Sequence, residues 1–180
     1  MVTVELNETH KNQLLEFCES CAEKGYKNND SLDSMKYQWC LDNGGTWYGS
    51  FIGNKLIAVS GVHNFPEISP NAVRVLFRGA QIVNPYAGLT KHHMSSIPFR
   101  DHLPLAIEKY ENKQLYITSN VTNDASGRMN MVHQIMHRLR SQGILTLIVE
   151  SMELFYTEQS VWRINKESYL NVRERLIQTV

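Results

Sequence analysis

The sequence predicts a single α/β domain over residues 1–180, built on a mixed, mostly antiparallel sheet flanked by helices. Three observations predict it. The chain of 180 residues has the length of one ordinary domain. A Gly53-Asn54 turn between two runs rich in β-forming residues is typical of an antiparallel hairpin. Segments with helical spacing of apolar residues alternate with further strand patterns, which favours one layered α/β architecture.

The first half of the chain is predicted to contain four strands and two helices. Asn7 caps the first helix and Gly25 ends it, whereas the second helix runs from Ser31 to Asn43. We expect Leu32, Met35 and Trp39 on the buried side of that second helix. The four strands are Val2–Leu6, Thr46–Ile52, Lys55–His63 and a long central strand, Ala72–Val83.

The second half is predicted to alternate helices and strands. A helix over Pro98–Tyr110 should kink or split at Pro104. An amphipathic helix that ends at Gly143 carries Val132, Ile135, Met136 and Leu139 on its apolar side. The apolar run Leu145–Val149 predicts a strand buried on both faces. The remaining elements are a strand at Leu115–Ser119, a strand at Trp162–Ile164 and a final helix containing Tyr169, Val172 and Leu176.

Composition and charge exclude several classes of protein. Hydrophobic residues make up 42% and charged residues 20%, which is a globular composition. Lys plus Arg equals Asp plus Glu at 18 each, so no overall field attracts nucleic acid or an acidic membrane. The apolar stretch Ile144–Val149 is too short to cross a bilayer, and the N-terminus lacks a signal-peptide pattern. We therefore expect a cytoplasmic protein with no nucleic-acid or membrane partner.

The three cysteines, Cys18, Cys21 and Cys40, predict free thiols in a reducing compartment. Cys18 and Cys21 have the spacing of a redox pair or of half a zinc site. No second pair follows at zinc-finger spacing, and both cysteines fall within a helical apolar pattern. We interpret them as buried helix positions.

The order of elements is accompanied by three local features. These are the hairpin Trp47–Gly61, the strand Val73–Val83 leading into Asn84-Pro85-Tyr86-Ala87-Gly88, and the segment Ile117-Thr118-Ser119-Asn120 followed by Asn123-Asp124-Ala125 and by Gln142-Gly143-Ile144. Together they resemble the GNAT superfamily of acyl-CoA-dependent N-acetyltransferases over nearly the whole chain. The resemblance implies an acyl-CoA N-acyltransferase-like fold and transfer of an acetyl group from acetyl-CoA to an amine.

The resemblance also implies an acetyl-CoA site after the fourth strand. Backbone N–H groups at a helix start can bind a pyrophosphate, and Lys91 can add a positive charge; a plain surface loop is the alternative. The pantetheine arm would bond the main chain of the fourth strand, with Asn120 or Asn123 on its far side, although both asparagines also fit ordinary caps. The implied cofactor residues are Ile82, Val83, Ala87, Gly88, Leu89, Thr90, Lys91, Asn120 and Asn123.

Transfer to an amine requires a base that removes the ammonium proton. Glu150 is one candidate, since it follows an apolar strand and burial would raise its pKa; pairing with Arg74 or Arg78 is the alternative. His93 and its neighbour His92 lie in the implied cofactor region, where the near-neutral pKa that is typical of histidine would suit a base. Tyr156 is the candidate acid for the departing thiolate, or else a core tyrosine.

His133 and His137 are four residues apart and share one side of a predicted helix. This spacing fits half a metal site, but without a third ligand a solvated helix flank is the preferred interpretation, and no metal is expected.

Two classes of function stay open. The first is an enzyme that acetylates a small-molecule amine or a protein amino group. The second is a binding module that keeps the fold and has lost transfer, because a single glycine, Gly88, stands where GNAT proteins have a glycine-rich run. The same fold with a different acyl donor is a third reading, and a homodimer is a possible assembly.

Overall fold

The computed structural model describes residues 1–23, 34–80, 97–122, 129, 131–154 and 156–178. These residues form seven strands and five α-helices, preceded in two places by a short turn of another helix type. In chain order the elements are β1 (Val2–Leu6), a 3₁₀ turn (Glu8–His10), α1 (Lys11–Glu23), α2 (Ser34–Asp42), β2 (Thr46–Ile52), β3 (Lys55–Asn64), β4 (Ala72–Ala80), a π-helical turn (Pro98–His102), α3 (Leu103–Lys109), β5 (Gln114–Asn120), α4 (Met131–Ser141), β6 (Leu145–Leu154), β7 (Thr157–Ile164) and α5 (Lys166–Gln178).

The fold is divided into two compact units. Unit 1 comprises Met1–Phe65 and Val75–Lys109, and unit 2 comprises Pro66–Arg74 and Tyr110–Val180. Strand order is β1-β2-β3-β4 in unit 1 and β4-β5-β7-β6 in unit 2, with the first three residues of β4 belonging to the second unit. The expectation of one domain over residues 1–180 stays a prediction.

Unit 1 is built around the predicted hairpin. β2 pairs antiparallel with both β1 and β3. Gly53 has φ 57°, the left-handed conformation that glycine adopts without steric cost, so the Gly53-Asn54 turn closes where the sequence placed it. Helices α1 and α2 both contact β3. One apolar cluster of unit 1 consists of Leu6, Leu14, Phe17, Tyr37, Cys40, Trp47, Phe51, Leu56 and Val59.

The predicted cap at Asn7 is confirmed. Its side-chain oxygen accepts a hydrogen bond from the Thr9 backbone N–H at 3.0 Å, and the His10 ring accepts one from the Asn7 backbone N–H at 3.2 Å. These two bonds satisfy backbone donors that the start of a helix leaves unpaired. A 3₁₀ turn therefore comes between the cap and α1.

The predicted helix over Pro98–Tyr110 is split near Pro104. Residues Pro98–His102 form a π-helical turn in which the Leu103 N–H bonds the Pro98 carbonyl, and α3 follows as a separate α-helix. Proline lacks the N–H that would continue regular bonding at position 104. The π turn places His102 inside unit 1, where it contacts β2 and β3 through Ser50 and Ser60.

Unit 2 contains an antiparallel arrangement of β5, β7 and β6, with β7 between the other two. Helix α4 contacts both β5 and β6. Lys166, at the start of α5, donates to the carbonyl oxygens of Tyr110 and Glu111 at 3.0 and 2.8 Å, which fixes α5 against the turn before β5. The buried residues of unit 2 include Leu115, Ile117, Met136, Ile144, Val161, Trp162 and Tyr169.

Three burial predictions were wrong. β6 is not buried on both faces: it is the last strand in its order, and Ile148 is 41% exposed. Among the α2 side chains that the structure describes, Tyr37 and Cys40 are buried, whereas Trp39 is exposed; the side chains of Leu32 and Met35 lie outside the described residues. In α4, Met136 is buried as predicted, but Val132 and Ile135 are exposed, and His133 is buried although it was not predicted to be.

The predicted fold class is confirmed: the chain is a mixed α/β protein whose described strand pairs β1–β2, β2–β3, β5–β7 and β6–β7 are all antiparallel. Within the described residues, no helix is both long enough and apolar enough to span a membrane.

Cys40 is a buried free thiol, while the side chains of Cys18 and Cys21 lie outside the described residues.

Candidate functional site

A cleft of about 290 Å³ lies in unit 2, on the side of the strands that α4 covers. It combines two imidazoles, two carboxylates, one guanidinium, two hydroxyls and an indole. Small-molecule sites combine apolar or aromatic walls with a few polar groups, and this cleft has both, although its lining is more polar than is usual. The lining residues are Val121, His133, His137, Arg140, Leu147, Glu150, Ser151, Glu158, Ser160 and Trp162.

Helix α4 brings His133 and His137 together, because residues four apart lie one turn above each other on the same side. Their Nε2 atoms are 3.2 Å apart, and the two rings meet edge to face with centroids 4.7 Å apart. His133 is buried, whereas His137 is exposed at the cleft. The prediction that both histidines lie on a solvent-exposed side of the helix is therefore confirmed for His137 and wrong for His133.

The strands hold the His133 ring through a serine and a tryptophan. Trp162 on β7 donates its Nε1–H to Ser119 Oγ on β5 at 2.8 Å, and the same oxygen lies 2.8 Å from His133 Nδ1. Ser119 and Trp162 reach one another because β5 and β7 pair with Ile117 opposite Trp162 and Ser119 opposite Ser160. The result is a continuous hydrogen-bonded chain from Trp162 through Ser119 and His133 to His137.

The electrostatics of the cleft favour a neutral His133. Burial, and secondarily the neighbouring His137, lower the pKa of His133 below its ordinary value. Glu150 and Glu158 supply two carboxylates at the same cleft, against the single guanidinium of Arg140. The arrangement can bind a cation and can accept a proton.

Glu150 lies within β6, not after it, and its side chain is exposed. The pairing of β6 with β7 is irregular between Val149 and Met152, and the Ser160 hydroxyl donates to the Glu150 backbone carbonyl there. Irregularities of this kind re-aim side chains and are frequent beside active sites. The expected burial of Glu150 is not found, and neither is a pairing with Arg74, whose guanidinium bonds Thr118 and Gln159.

Tyr156 lies in the turn between β6 and β7, with φ 65° and 96% of its side chain exposed. The alternative reading of a core tyrosine is therefore wrong. Tyr156 is not among the residues that line the cleft, so the structure does not bring the candidate acid to Glu150.

Asn120 ends β5 and uses its side-chain oxygen locally. Oδ1 accepts hydrogen bonds from the Thr122 backbone N–H at 2.8 Å and from the Thr122 hydroxyl at 2.6 Å. This is the capping geometry that was the alternative to a cofactor contact. The other sequence-predicted residues, Ile82, Val83, Ala87, Gly88, Leu89, Thr90, Lys91, His93 and Asn123, lie outside the described residues, and their roles stay predictions.

Sequence reasoning missed most of the cleft. The spacing of His133 and His137 was a usable signal, but Ser119, Ser160 and Trp162 carry none, because it is the register between β5 and β7 that brings them together. Across the described part of the chain, no three His, Cys, Asp or Glu side chains form a ready-made metal site.

Solved structures of the same fold are found among acyltransferases. An acyl-CoA N-acyltransferase from Pseudomonas aeruginosa is similar with a TM-score of 0.55 and 10% sequence identity, covering 91% of this chain and 97% of that chain. A ribosomal-protein-alanine N-acetyltransferase from Brucella melitensis has a TM-score of 0.57 and 14% identity, with coverages of 91% and 98%. FeeM, an N-acyl amino acid synthase from uncultured soil microbes, has a TM-score of 0.59 and 10% identity, with coverages of 93% and 92%.

No protein-family model matches the chain, and no curated protein matches it. At identities this low the structural likeness establishes the fold, and the activity has to be argued from the site. The chain has the fold of the GNAT acyl-CoA N-acyltransferases.

Proposed function

We propose that this protein is an acetyl-CoA-dependent N-acetyltransferase that acts on an amine of a small molecule or on a protein amino group. The observation that carries the proposal is the likeness in fold to acyltransferases over more than nine-tenths of this chain and of theirs. Fold alone does not fix function, so the cleft in unit 2 supplies the second support.

The reaction makes three chemical demands. The acceptor must lose a proton so that its nitrogen lone pair can attack the thioester carbonyl. The C–N bond then forms, the C–S bond breaks and coenzyme A leaves as a thiolate. A thiol pKa of about 8.5 makes that thiolate a tolerable leaving group, so the base is the more important protein group.

We propose Glu150 as the group that accepts the ammonium proton, directly or through a water molecule. Its carboxylate belongs to the same cleft as Glu158, and together they favour a cationic amine over an anionic one. Proximity of the bound reactants supplies much of the acceleration, so a strong base is not required. His93 is the alternative base. Tyr156 is the proposed acid that protonates the departing thiolate, although the exposed position of Tyr156 favours a water molecule as the acid.

The donor is proposed to bind along the main chain of Ile82 and Val83, with its pyrophosphate at the backbone N–H groups of residues 87–91. Backbone donors at a helix start, aided by Lys91, suit that anion. Acetyl-CoA is the proposed donor because the resemblance to GNAT proteins implies it.

The test combines cofactor binding with turnover. We expect calorimetry to detect acetyl-CoA binding, and a thiol-release assay with a panel of amines and N-terminal peptides to detect coenzyme A. Glu150→Gln should lower kcat by at least about 100-fold, the lower range for loss of a general base, with little change in acetyl-CoA affinity. Glu153→Gln is the matched control, since Glu153 is exposed on the same strand and does not line the cleft.

Each failure has a distinct meaning. Absence of acetyl-CoA binding together with absence of turnover would overturn the proposal in favour of a module without transfer activity. Turnover with an acyl-carrier-protein thioester but not with acetyl-CoA would keep the transfer and replace the donor. Equal activity of the two variants and the wild type would remove Glu150 from the mechanism.

A further inference from the structure

The two histidines on α4 have the separation of two ligands on one metal ion. Zinc–nitrogen bonds of 2.0–2.1 Å, with ligand angles between square and tetrahedral, place the two nitrogen atoms about 2.8–3.4 Å apart. The Nε2 atoms of His133 and His137 are 3.2 Å apart, which lies within that range. We propose that His133 and His137 bind one late first-row divalent cation, Zn²⁺, Ni²⁺ or Cu²⁺, through their Nε2 atoms.

The surroundings of His133 already have the form that a ligating histidine needs. Metal-bound imidazoles usually donate their other N–H to a fixed acceptor, which sets the tautomer and the ring orientation. Ser119 Oγ lies 2.8 Å from His133 Nδ1, and Trp162 holds that oxygen by donating to it. A serine oxygen can accept two hydrogen bonds, so it can receive both N–H groups and leave His133 Nε2 with its lone pair toward the cleft.

A simple hydrogen bond between the two rings is the competing explanation, and it is compatible with metal binding. In the free protein His137 Nε2–H can donate to His133 Nε2. On binding a cation, the His137 proton moves to Nδ1, so both neutral imidazoles present a lone pair and no net proton is released.

The cleft permits entry of an ion and favours positive charge. His137 is exposed, and the carboxylates of Glu150 and Glu158 outnumber the guanidinium of Arg140. Since no third protein ligand stands ready within the described residues, water completes the coordination. Imidazole ligands select copper, nickel and zinc over magnesium and calcium, which require oxygen ligands.

This inference is independent of the proposed function, so its test uses binding, not activity. Full-length protein freed of metal by a chelator is titrated with Zn²⁺ in a calorimeter. We expect a one-to-one component of Zn²⁺ binding. His137→Gln should lower its affinity at least about tenfold, and Ser119→Ala should also lower it, because residues that support a metal ligand usually change metal affinity by about 10- to 100-fold. His10→Gln is the control, because that ring bonds Asn7 and Thr9 in unit 1 and should leave the component unchanged.

A second measurement identifies the ligands. Electron paramagnetic resonance of the Cu²⁺-loaded protein should give the hyperfine pattern of two imidazole nitrogens, and His137→Gln should reduce it to one. An unchanged Zn²⁺ isotherm in His137→Gln, with an unchanged circular dichroism spectrum, would place any bound metal elsewhere in the chain. Lack of a one-to-one component in the wild type would leave the pair as an internal hydrogen bond only.

Discussion

His102 shows how a single ionisable side chain can link stability to pH. It is 1% exposed, and its two ring nitrogens lie 2.9 Å from Ser50 Oγ and 2.8 Å from Ser60 Oγ. The Ser50 hydroxyl also bonds Thr3, so the network spans β1, β2 and β3. Burial lowers the pKa of His102 to about 4, against the opposing effect of Asp101.

The sign of the pH effect follows from that direction. A histidine whose folded pKa lies below its unfolded value stabilises the fold above the unfolded pKa and loses that contribution as pH falls. We expect the free energy of unfolding to decrease by about 2 kcal/mol between about pH 7.5 and pH 5 from this residue. Urea unfolding at the two pH values measures it.

The matched variants are His102→Gln and His10→Gln. Glutamine offers one donor and one acceptor to the two serines and does not titrate, so His102→Gln should lose most of the pH dependence. His10→Gln should keep it. An identical dependence in His102→Gln and the wild type would show that acid acts through other groups.

Residue identity alone predicted only part of the site. The His133 and His137 spacing was visible because a helix repeats every 3.6 residues. Glu150 was expected to be buried because apolar residues precede it, but β6 is the last of the described strands in the order, and the Glu150 side chain is exposed. Ser119 and Trp162 could not be found, because their contact depends on the register between β5 and β7.

At the scale of elements, the hairpin was predicted almost to the residue, whereas the buried sides of helices were not. Gly53-Asn54 fixes the turn locally, so no distant contact is needed. For the second helix the sequence predicts an apolar stripe that includes Trp39, yet Trp39 is exposed in α2, and Tyr37 and Cys40 are buried. The amphipathic side of a short helix with mixed residues is decided by what it packs against, and here Tyr37 stacks on Trp47 with centroids 6.0 Å apart.

The junction between α2 and β2 depends on the absence of a side chain at Gly45. A methyl group there would overlap the carbonyl oxygen and Sγ of Cys40 and would lie 2.7 Å from the Val62 carbonyl oxygen. The Gly45 N–H also donates to the Cys40 carbonyl at 2.8 Å, so the segment cannot shift without losing that bond. We expect Gly45→Ala to lower the free energy of unfolding by at least about 2 kcal/mol.

Gly53→Asn is the control for Gly45→Ala. A Cβ at Gly53 would meet no atom within 4 Å, and asparagine tolerates its left-handed φ, so the cost should stay below about 1 kcal/mol. Urea unfolding of the two variants beside the wild type compares them. A Gly45→Ala protein as stable as the control would show that Cys40 and Val62 can move aside.

At the scale of the whole molecule, the element order predicted the fold even though no protein-family model and no curated protein matches the sequence. Strand and helix patterns are conserved by packing requirements, whereas a shared sequence at 8–14% identity is too weak to detect directly. The sequence does not predict the acceptor, and the reason is physical: function depends on side chains in a cleft, and different sequences form different clefts on one fold.

The balanced charge of the chain leads to a prediction about its partners. With 18 basic and 18 acidic residues, no long-range positive field favours a polyanion. The exposed arginines in the last turn of α4, Arg138 and Arg140, suit the negative end of that helix and are too few for a phosphate-binding surface. We expect affinity for duplex or single-stranded nucleic acid to be weaker than about 0.1 mM at physiological salt, by fluorescence anisotropy with labelled oligonucleotides.

The salt dependence of any residual nucleic-acid binding shows whether a local cluster of basic side chains holds the polyanion. A polyanion held by several lysines and arginines loses affinity steeply as salt rises, because condensed counterions are released on binding. Tight binding with such a slope, abolished by Arg138→Glu, would contradict the prediction and identify the end of α4 as a contact. Weak binding in both wild type and Arg138→Glu would instead direct the search for partners to the neutral or cationic acceptors that Glu150 and Glu158 favour.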